Sequence, residues 1–262
     1  MITSEASPLT RREHEWGIEL CGFGRPFGLG IDHHGRLHVT DMDRHCVDRF
    51  DHNLQFLDTL TAPGLWNGPH SVDFDSAGRL FVTCYYTPGI YVVEGEQPVK
   101  LDTGVTGPAS ALFDRSGRLL VSEYSQNTVL ALEVSGELAF TFSGKFDRPH
   151  MARALDDGTV VVADTWNNRL QRFTGDGVLV QSDVAKVSCP VAIDPHPRRG
   201  WLVTAWGDNA VVRFDSGGAP AGRLETPPLD KPYDARWLDD DRVVIADSHH
   251  ARVLIVNSPR FH

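Results

Sequence analysis

The chain has 262 residues, 41% of them hydrophobic, and a formal net charge of −10. A length of this order suits one large domain or two small ones, and the acidic balance argues against nucleic acid, whose phosphates call for a basic face. No apolar run is long enough to span a membrane.

The opening stretch MITSEASPLTRR lacks the apolar segment of a secretory signal, so a cytoplasmic protein with a flexible tail over 1–12 is expected. Cys21, Cys46, Cys84 and Cys189 are scattered without a CxxC pair, which fits reduced thiols better than a disulfide framework. EWGIELCG (Glu15 to Gly22) then reads as a strand with no unit of its own.

From Pro26 onwards the chain repeats. Fifteen residues after Pro26 lies Asp41, and nine further lies Phe50. The same ruler fits Pro69, Cys84 and Val93; Pro108, Glu123 and Leu132; Pro149, Asp164 and Phe173; Pro190, Ala205 and Phe214; and Pro232, Asp247 and Val256. Six anchor prolines spaced by 39 to 43 residues mark six copies of one unit. Within each unit, β-branched or alternating runs are split by turns such as DHHGR, DSAGR, DRSGR and DDGT, the signature of antiparallel strands.

Four short strands per repeat of about 40 residues predict an all-β, six-bladed propeller. One domain over 13–262 is expected, with blades starting near residues 22, 64, 104, 144, 185 and 227. The sixth unit stops six residues after Val256, too soon for a fourth strand. Pairing Glu15–Gly22 beside Val253–Val256 would cover that open edge and close the ring.

In an antiparallel hairpin, the residue after each proline and the residue at proline plus fifteen lie at the same end of the blade. Two rings are therefore expected at one mouth of the channel. The first is Phe27, His70, Ala109, His150, Val191 and Tyr233; the second is Asp41, Cys84, Glu123, Asp164, Ala205 and Asp247. The following loops add Tyr85, Tyr124, Trp166 and Trp206, which with Phe27, Asp41 and Asp247 are expected to line a substrate pocket, and Tyr86 as a further aromatic group on the same face. His70 and His150 with Glu123 or Cys84 offer a ligand set for zinc, or for manganese or iron. A second reading stands beside this one: Asp41, Asp164 and Asp247 accept loop N–H groups, and Cys84 is a small buried hydrophobe. At proline plus four, Asp73, Arg153, Asp194 and Arg236 are expected to neutralise one another deep in the channel.

GTVVVADTWNNRLQRF resembles the NHL repeat, and the resemblance extends over nearly the whole chain from about Gly22, implying a six-bladed propeller. The family's Asn-x-Arg feature is present in Asn167, Asn168 and Arg169, and in part at Arg252. The Pro-His steps in GPHSV (His70) and RPHMA (His150) resemble those of the peptidyl-hydroxyglycine amidating lyases. That resemblance implies a channel zinc held by histidines of alternate blades, and a structural calcium near Asp234. Tyr233 stands where the third histidine would be, which leaves Glu123, Asp164 or Cys84 as candidates for the vacant place. VSEY, with Glu123, is similar to the Thr-Glu step of the streptogramin lyases.

Both resemblances imply a metal-assisted lyase or hydrolase acting on a small molecule, with Glu123 or Asp164 as general base and Tyr233 as proton donor or orienting group. The alternative is a non-catalytic propeller that binds a protein or small ligand on the same face through its aromatic groups.

Overall fold

The computed structural model describes residues 9–94 and 97–262. Two strands, β1 (Thr10–His14) and β2 (Gly17–Cys21), precede the repeats. Blade one is β3 (Pro26–Ile31), β4 (Leu37–Asp41), β5 (Cys46–Phe50) and β6 (Phe56–Thr61). Blade two is β7 (Pro69–Phe74), β8 (Leu80–Cys84), β9 (Gly89–Glu94) and β10 (Gln97–Lys100). Blade three is β11 (Pro108–Phe113), β12 (Leu119–Glu123), β13 (Thr128–Leu132) and β14 (Leu138–Thr141). Blade four is β15 (Pro149–Ala154), β16 (Val160–Asp164), β17 (Arg169–Phe173) and β18 (Leu179–Lys186). Blade five is β19 (Pro190–His196), β20 (Gly200–Ala205), β21 (Ala210–Phe214) and β22 (Pro220–Arg223). Blade six begins with β23 (Pro232–Trp237), β24 (Arg242–Asp247) and β25 (Arg252–Asn257).

Ring closure follows the expected route. β2 pairs antiparallel with β25, from Gly17 opposite Val256 to Cys21 opposite Arg252. β1 then adds a fifth strand to that sheet, which the repeat pattern does not announce. The tail expected over 1–12 is accordingly shorter, since Thr10–Arg12 already belong to β1; residues 1–8 lie outside the described residues. All five β1 residues are exposed, and Arg11, Arg12 and Glu13 put charge on the outermost edge, which discourages further strand addition.

The turns follow from local chemistry. In the D-x-x-G-R turns the aspartate caps the loop: Asp32 Oδ1 accepts the N–H groups of His34 and Arg36, while Arg36 Nε returns to Asp32 Oδ2 at 2.6 Å. Gly35 sits at φ 72°, a left-handed conformation that other residues resist. Asp75 with Arg79 and Asp114 with Arg118 repeat the arrangement.

The core is distributed along the seams between blades. Val47, Val72 and Val82 pack between blades one and two, and Leu112, Ile193 and Phe214 lie in the seam cluster of blades four and five. Leu20 and Phe23 join Leu29, Val39, Val244 and Ile255 in the seam between blades six and one. The closing strand is thus part of a core as well as an edge cover. Among the described residues no helix is long and apolar enough to cross a membrane.

Candidate functional site

Each anchor proline faces its proline-plus-fifteen residue: Pro69 opposite Cys84, Pro108 opposite Glu123, Pro149 opposite Asp164, Pro232 opposite Asp247. In every blade the register then slips immediately after the proline, between Pro69 and Ser71 or Pro149 and Met151, for example. Such a bulge leaves its extra residue unpaired and re-aims the side chain. The post-proline residue is the one re-aimed, and four of the six converge over the channel.

His70 and His150, two blades apart, bring their rings to 5.0 Å between centroids. Tyr233 stacks on Phe27 at 3.6 Å and stands 5.2 Å from His150 and 5.8 Å from His70. His70 Nδ1 donates to Ala109 O at 2.7 Å, and His150 Nδ1 donates to Val191 O at 3.1 Å. Both acceptors are post-proline residues of the following blade. A carbonyl can only accept, so each Nδ1 carries the proton and each Nε2 keeps its lone pair. No hydrogen bond to either Nε2 is found among the described residues, and the two residues are 6% and 7% exposed.

Burial holds both rings neutral. It brings the His70 pKa down to about 4. His150 falls well below the usual histidine value, first through burial and then through the neighbouring His70. Burial also pushes the Tyr233 phenol well up, so it stays protonated and able to donate. Beneath the four rings the channel narrows to a space of about 10 Å³, no more than one water could use. The four rings therefore close the channel. A separate depression of about 540 Å³ is lined by Tyr85, Thr106, Gly107, Tyr124, Ser125 and Arg148, and none of the four rings is part of its lining. Tyr85 stands 6.0 Å from His70 and Tyr124 6.1 Å from His150, between ring centroids.

The second ring does not join them. Asp41 is fully buried and accepts the N–H groups of Gly24, Arg25 and Arg44. Asp164 accepts from Asp147 N, Asn167 Nδ2, Arg169 Nε and Gln171 Nε2, all within 2.9 Å. Asp247 accepts from Asp230 N and Arg252 Nε. Glu123 turns to Thr106 N, Thr106 Oγ1 and Ser125 Oγ. These carboxylates tie the loop before each proline to the blade, so the mouth positions expected for them are corrected. The reason is the bulge: a residue facing the proline in register stays in the plane of the sheet, and only the bulged residue is turned inward.

Cys84 is fully buried in the seam of blades one and two, and burial raises its thiol to about 12, far from the thiolate a metal would require. The zinc site proposed on the sequence therefore finds two imidazoles and no third acidic, thiol or imidazole ligand. Among the described residues no group of three or more His, Cys, Asp and Glu is placed to hold a metal. A catalytic zinc takes three protein ligands, and this donor set does not fit one. Asp234 accepts Leu29 N at 2.9 Å and pairs with Arg236 Nε at 3.1 Å, both through Oδ2, while its Oδ1 is buried without a hydrogen-bond partner.

At the other end of the channel Arg153 lies 3.8 Å from Asp73 and 3.5 Å from Asp194, with Arg236 3.9 Å from Asp194. The alternating charges neutralise one another as their spacing suggests. Trp166 is exposed at the upper rim, whereas the Trp206 ring is covered by Lys231 Nζ at 3.8 Å.

One set of mouth residues escaped the sequence reading: those immediately before the anchor prolines, Arg25, Arg148 and Lys231. Arg148 and Lys231 adopt φ 49° and 50°, and the residue one blade back stitches each in place, Asn127 Oδ1 accepting Arg148 N at 2.8 Å and Asn209 Oδ1 accepting Lys231 N at 2.9 Å. Shifting the ruler by one residue would have found them.

Residues 146–173 match the NHL repeat family model, the blade whose sequence carries the resemblance. No curated protein matches the sequence significantly. Among solved structures the chain is similar to a gluconolactonase from Xanthomonas campestris, with a TM-score of 0.74 and 15% identity over 98% of this chain and 97% of that one. It is also similar to a catalytically inactive virginiamycin B lyase from Staphylococcus aureus with quinupristin, with a TM-score of 0.71 and 14% identity over 98% of each chain. A third is the pyrroloquinoline-quinone-bound aldose sugar dehydrogenase from Streptomyces coelicolor, at 0.70 and 15% over 90% and 95%. At such identities the likeness is one of fold.

Proposed function

We propose that the protein is a lyase or hydrolase acting on a small molecule at the channel mouth, with His70 and His150 as its acid–base pair. The observation that supports this reading is the tethering of both imidazoles by Nδ1, which leaves an Nε2 lone pair on each of two rings whose centroids are 5.0 Å apart. A neutral imidazole accepts a proton from substrate or from water as a bond at the substrate breaks. Burial disfavours the imidazolium, so the ring is a weak base at neutral pH and passes a proton it has taken readily to a leaving oxygen. The second imidazole, 5.0 Å away, is the alternate acceptor, so one ring takes a proton while the other remains free to orient the substrate. Tyr233 donates a hydrogen bond to an oxygen that gains charge. No step is routed through a metal, since the donor set does not complete a site.

The similar folds suggest two probe substrates, glucono-lactone for hydrolysis and quinupristin for elimination. Turnover of either should fall by about 10²–10⁴-fold in His70→Gln and in His150→Gln, with the circular dichroism spectrum unchanged. Undiminished turnover in the double variant would overturn the assignment. Binding without turnover of either probe would favour the ligand-binding alternative.

A further inference from the structure

We infer that the lower mouth of the channel, at the end away from His70 and His150, is a binding site for a neutral polyol. It is separate from the site of the proposed function, because the four rings close the channel between the two ends.

Asp73, Arg153, Asp194 and Arg236 stand on the inner strands β7, β15, β19 and β23. Each is three residues beyond its post-proline position, about 10 Å further along the strand. All four line an open space of about 310 Å³, the size of a small ligand cleft. Their charges alternate, yet they do not touch. Arg153 Nη1 lies 3.8 Å from Asp73 Oδ2, Arg153 Nη2 lies 3.5 Å from Asp194 Oδ1, and Arg236 Nη1 lies 3.9 Å from the same Oδ1. Where arginine and aspartate bond directly in this chain they come much closer, Arg36 with Asp32 at 2.6 Å and Arg79 with Asp75 at 2.7 Å.

The groups around the space are correspondingly unspent. Among the described residues no hydrogen bond reaches the Arg153 guanidinium. Arg236 is 4% exposed, and its buried Nη2 has no partner. Asp73 and Asp194 each give Oδ2 to a backbone N–H of the next blade, Phe113 and Trp237, and neither Oδ1 accepts a hydrogen bond among the described residues.

A polar gap of 3.5 to 3.9 Å is one that a single oxygen bridges. That oxygen must accept from a guanidinium and donate to a carboxylate, and a hydroxyl does both. An anion would face Asp73 and Asp194, and a cation would face Arg153 and Arg236. The lip adds little field of its own, since Asp239 pairs with Arg242 and Asp240 with Arg198 and His196. Three gaps in series suit hydroxyls on neighbouring carbons of one small ring. Water has the same two abilities and is the competing occupant. Three waters, at roughly 30 Å³ each, would leave most of the space unused, whereas a polyol also fills it with the ring that carries its hydroxyls.

The test uses myo-inositol as probe with the full chain, followed by calorimetric titration and by proton–nitrogen correlation spectra. Myo-inositol should bind saturably and shift the Nε–H signals of Arg153 and Arg236 and the indole N–H of Trp237, which also lines the space. The ring signals of His70 and His150 should stay in place. Cyclohexanol, with a single hydroxyl, and sulfate, an anion, should each bind at least about tenfold more weakly, the worth of one hydrogen bond to a charged group. Arg153→Gln should weaken myo-inositol by at least about tenfold. Arg115→Gln, which removes an exposed pair with Asp156 outside the lining, should change nothing. If Arg153→Gln does not fold, the wild-type spectra decide alone. Sulfate binding as tightly as myo-inositol would overturn the inference in favour of an anion site. No saturable shift at Arg153 and Arg236 would overturn it in favour of water only. Shifts at His70 and His150 instead would overturn it by placing the polyol at the opposite end.

Discussion

His70 and His150 belong to blades separated by a third, yet their rings stand 5.0 Å apart, each tied through Nδ1 to a backbone carbonyl of the blade that follows it. The pair is therefore held by four blades rather than two: two supply the rings and two supply the carbonyls.

That arrangement predicts a pH dependence. Both rings are neutral in the folded state, His70 down at about 4 and His150 lower than the usual value, whereas the unfolded chain protonates near 6.5. The unfolded state then binds more protons, so the stability is complete above about pH 6.5 and is lost as pH falls towards 4, at about 1.4 kcal/mol per pH unit for each ring. His38, which burial also brings to about 4, adds to the slope. Urea midpoints from pH 7 to 4.5 should fall steeply in the wild type and less so in the His70→Gln, His150→Gln double variant. Parallel curves would show that the rings are not held neutral.

Closure of the ring can be tested by truncation. Removing residues 1–14 takes away β1, whose side chains are all exposed, and should lower the melting temperature only modestly. Removing 1–22 also takes β2 and leaves β25 as a bare edge, while Leu20 is lost from the seam of blades six and one. That product should aggregate or melt far lower. Leu20→Ala, which keeps the strand, should cost about 2–5 kcal/mol.

Asp164 offers a test of scaffold against chemistry. Fully buried and accepting four hydrogen bonds, it should cost about 3–5 kcal/mol when changed to alanine, because Arg169 and the loop before Pro149 lose their partner. Folded protein assayed at low temperature should retain near wild-type turnover. A stable variant with no activity would return Asp164 to the reaction.

Zinc addresses the ligand set directly. With two imidazoles and no third ligand beside them among the described residues, protein dialysed against zinc and then freed of excess should retain less than one ion per chain, and His70→Ala should retain the same amount. One ion per chain, lost in His70→Ala, would reinstate the metal-assisted reading.

The blades were legible because proline, turn aspartate and strand end recur at fixed distances, and the anchor residues pair in that register, Pro26 with Asp41 and Pro190 with Ala205. The convergence of His70, His150, Phe27 and Tyr233 was legible for the same reason. What could not be read was the direction of the second ring. A one-residue bulge after each proline has no composition of its own, yet it decides which side chain leaves the sheet and which remains in it. Arg148 went unseen because a charged residue before a proline reads as an ordinary loop, and only the αL backbone with its Asn127 stitch gives it a fixed direction.

The β2–β25 pairing has a consequence for how the molecule loosens. A linear stack of repeats frays from its ends, since each terminal unit is held on one side only. In this chain the last seam is packed like the others, Val244 and Ile255 against Leu29 and Val39, so every blade has two neighbours and none is terminal. Releasing one blade means breaking two seams at once. Amide exchange in the inner strands β3, β7, β11, β15, β19 and β23 should then proceed by opening of the whole ring, at one common rate, with no gradient from blade one to blade six.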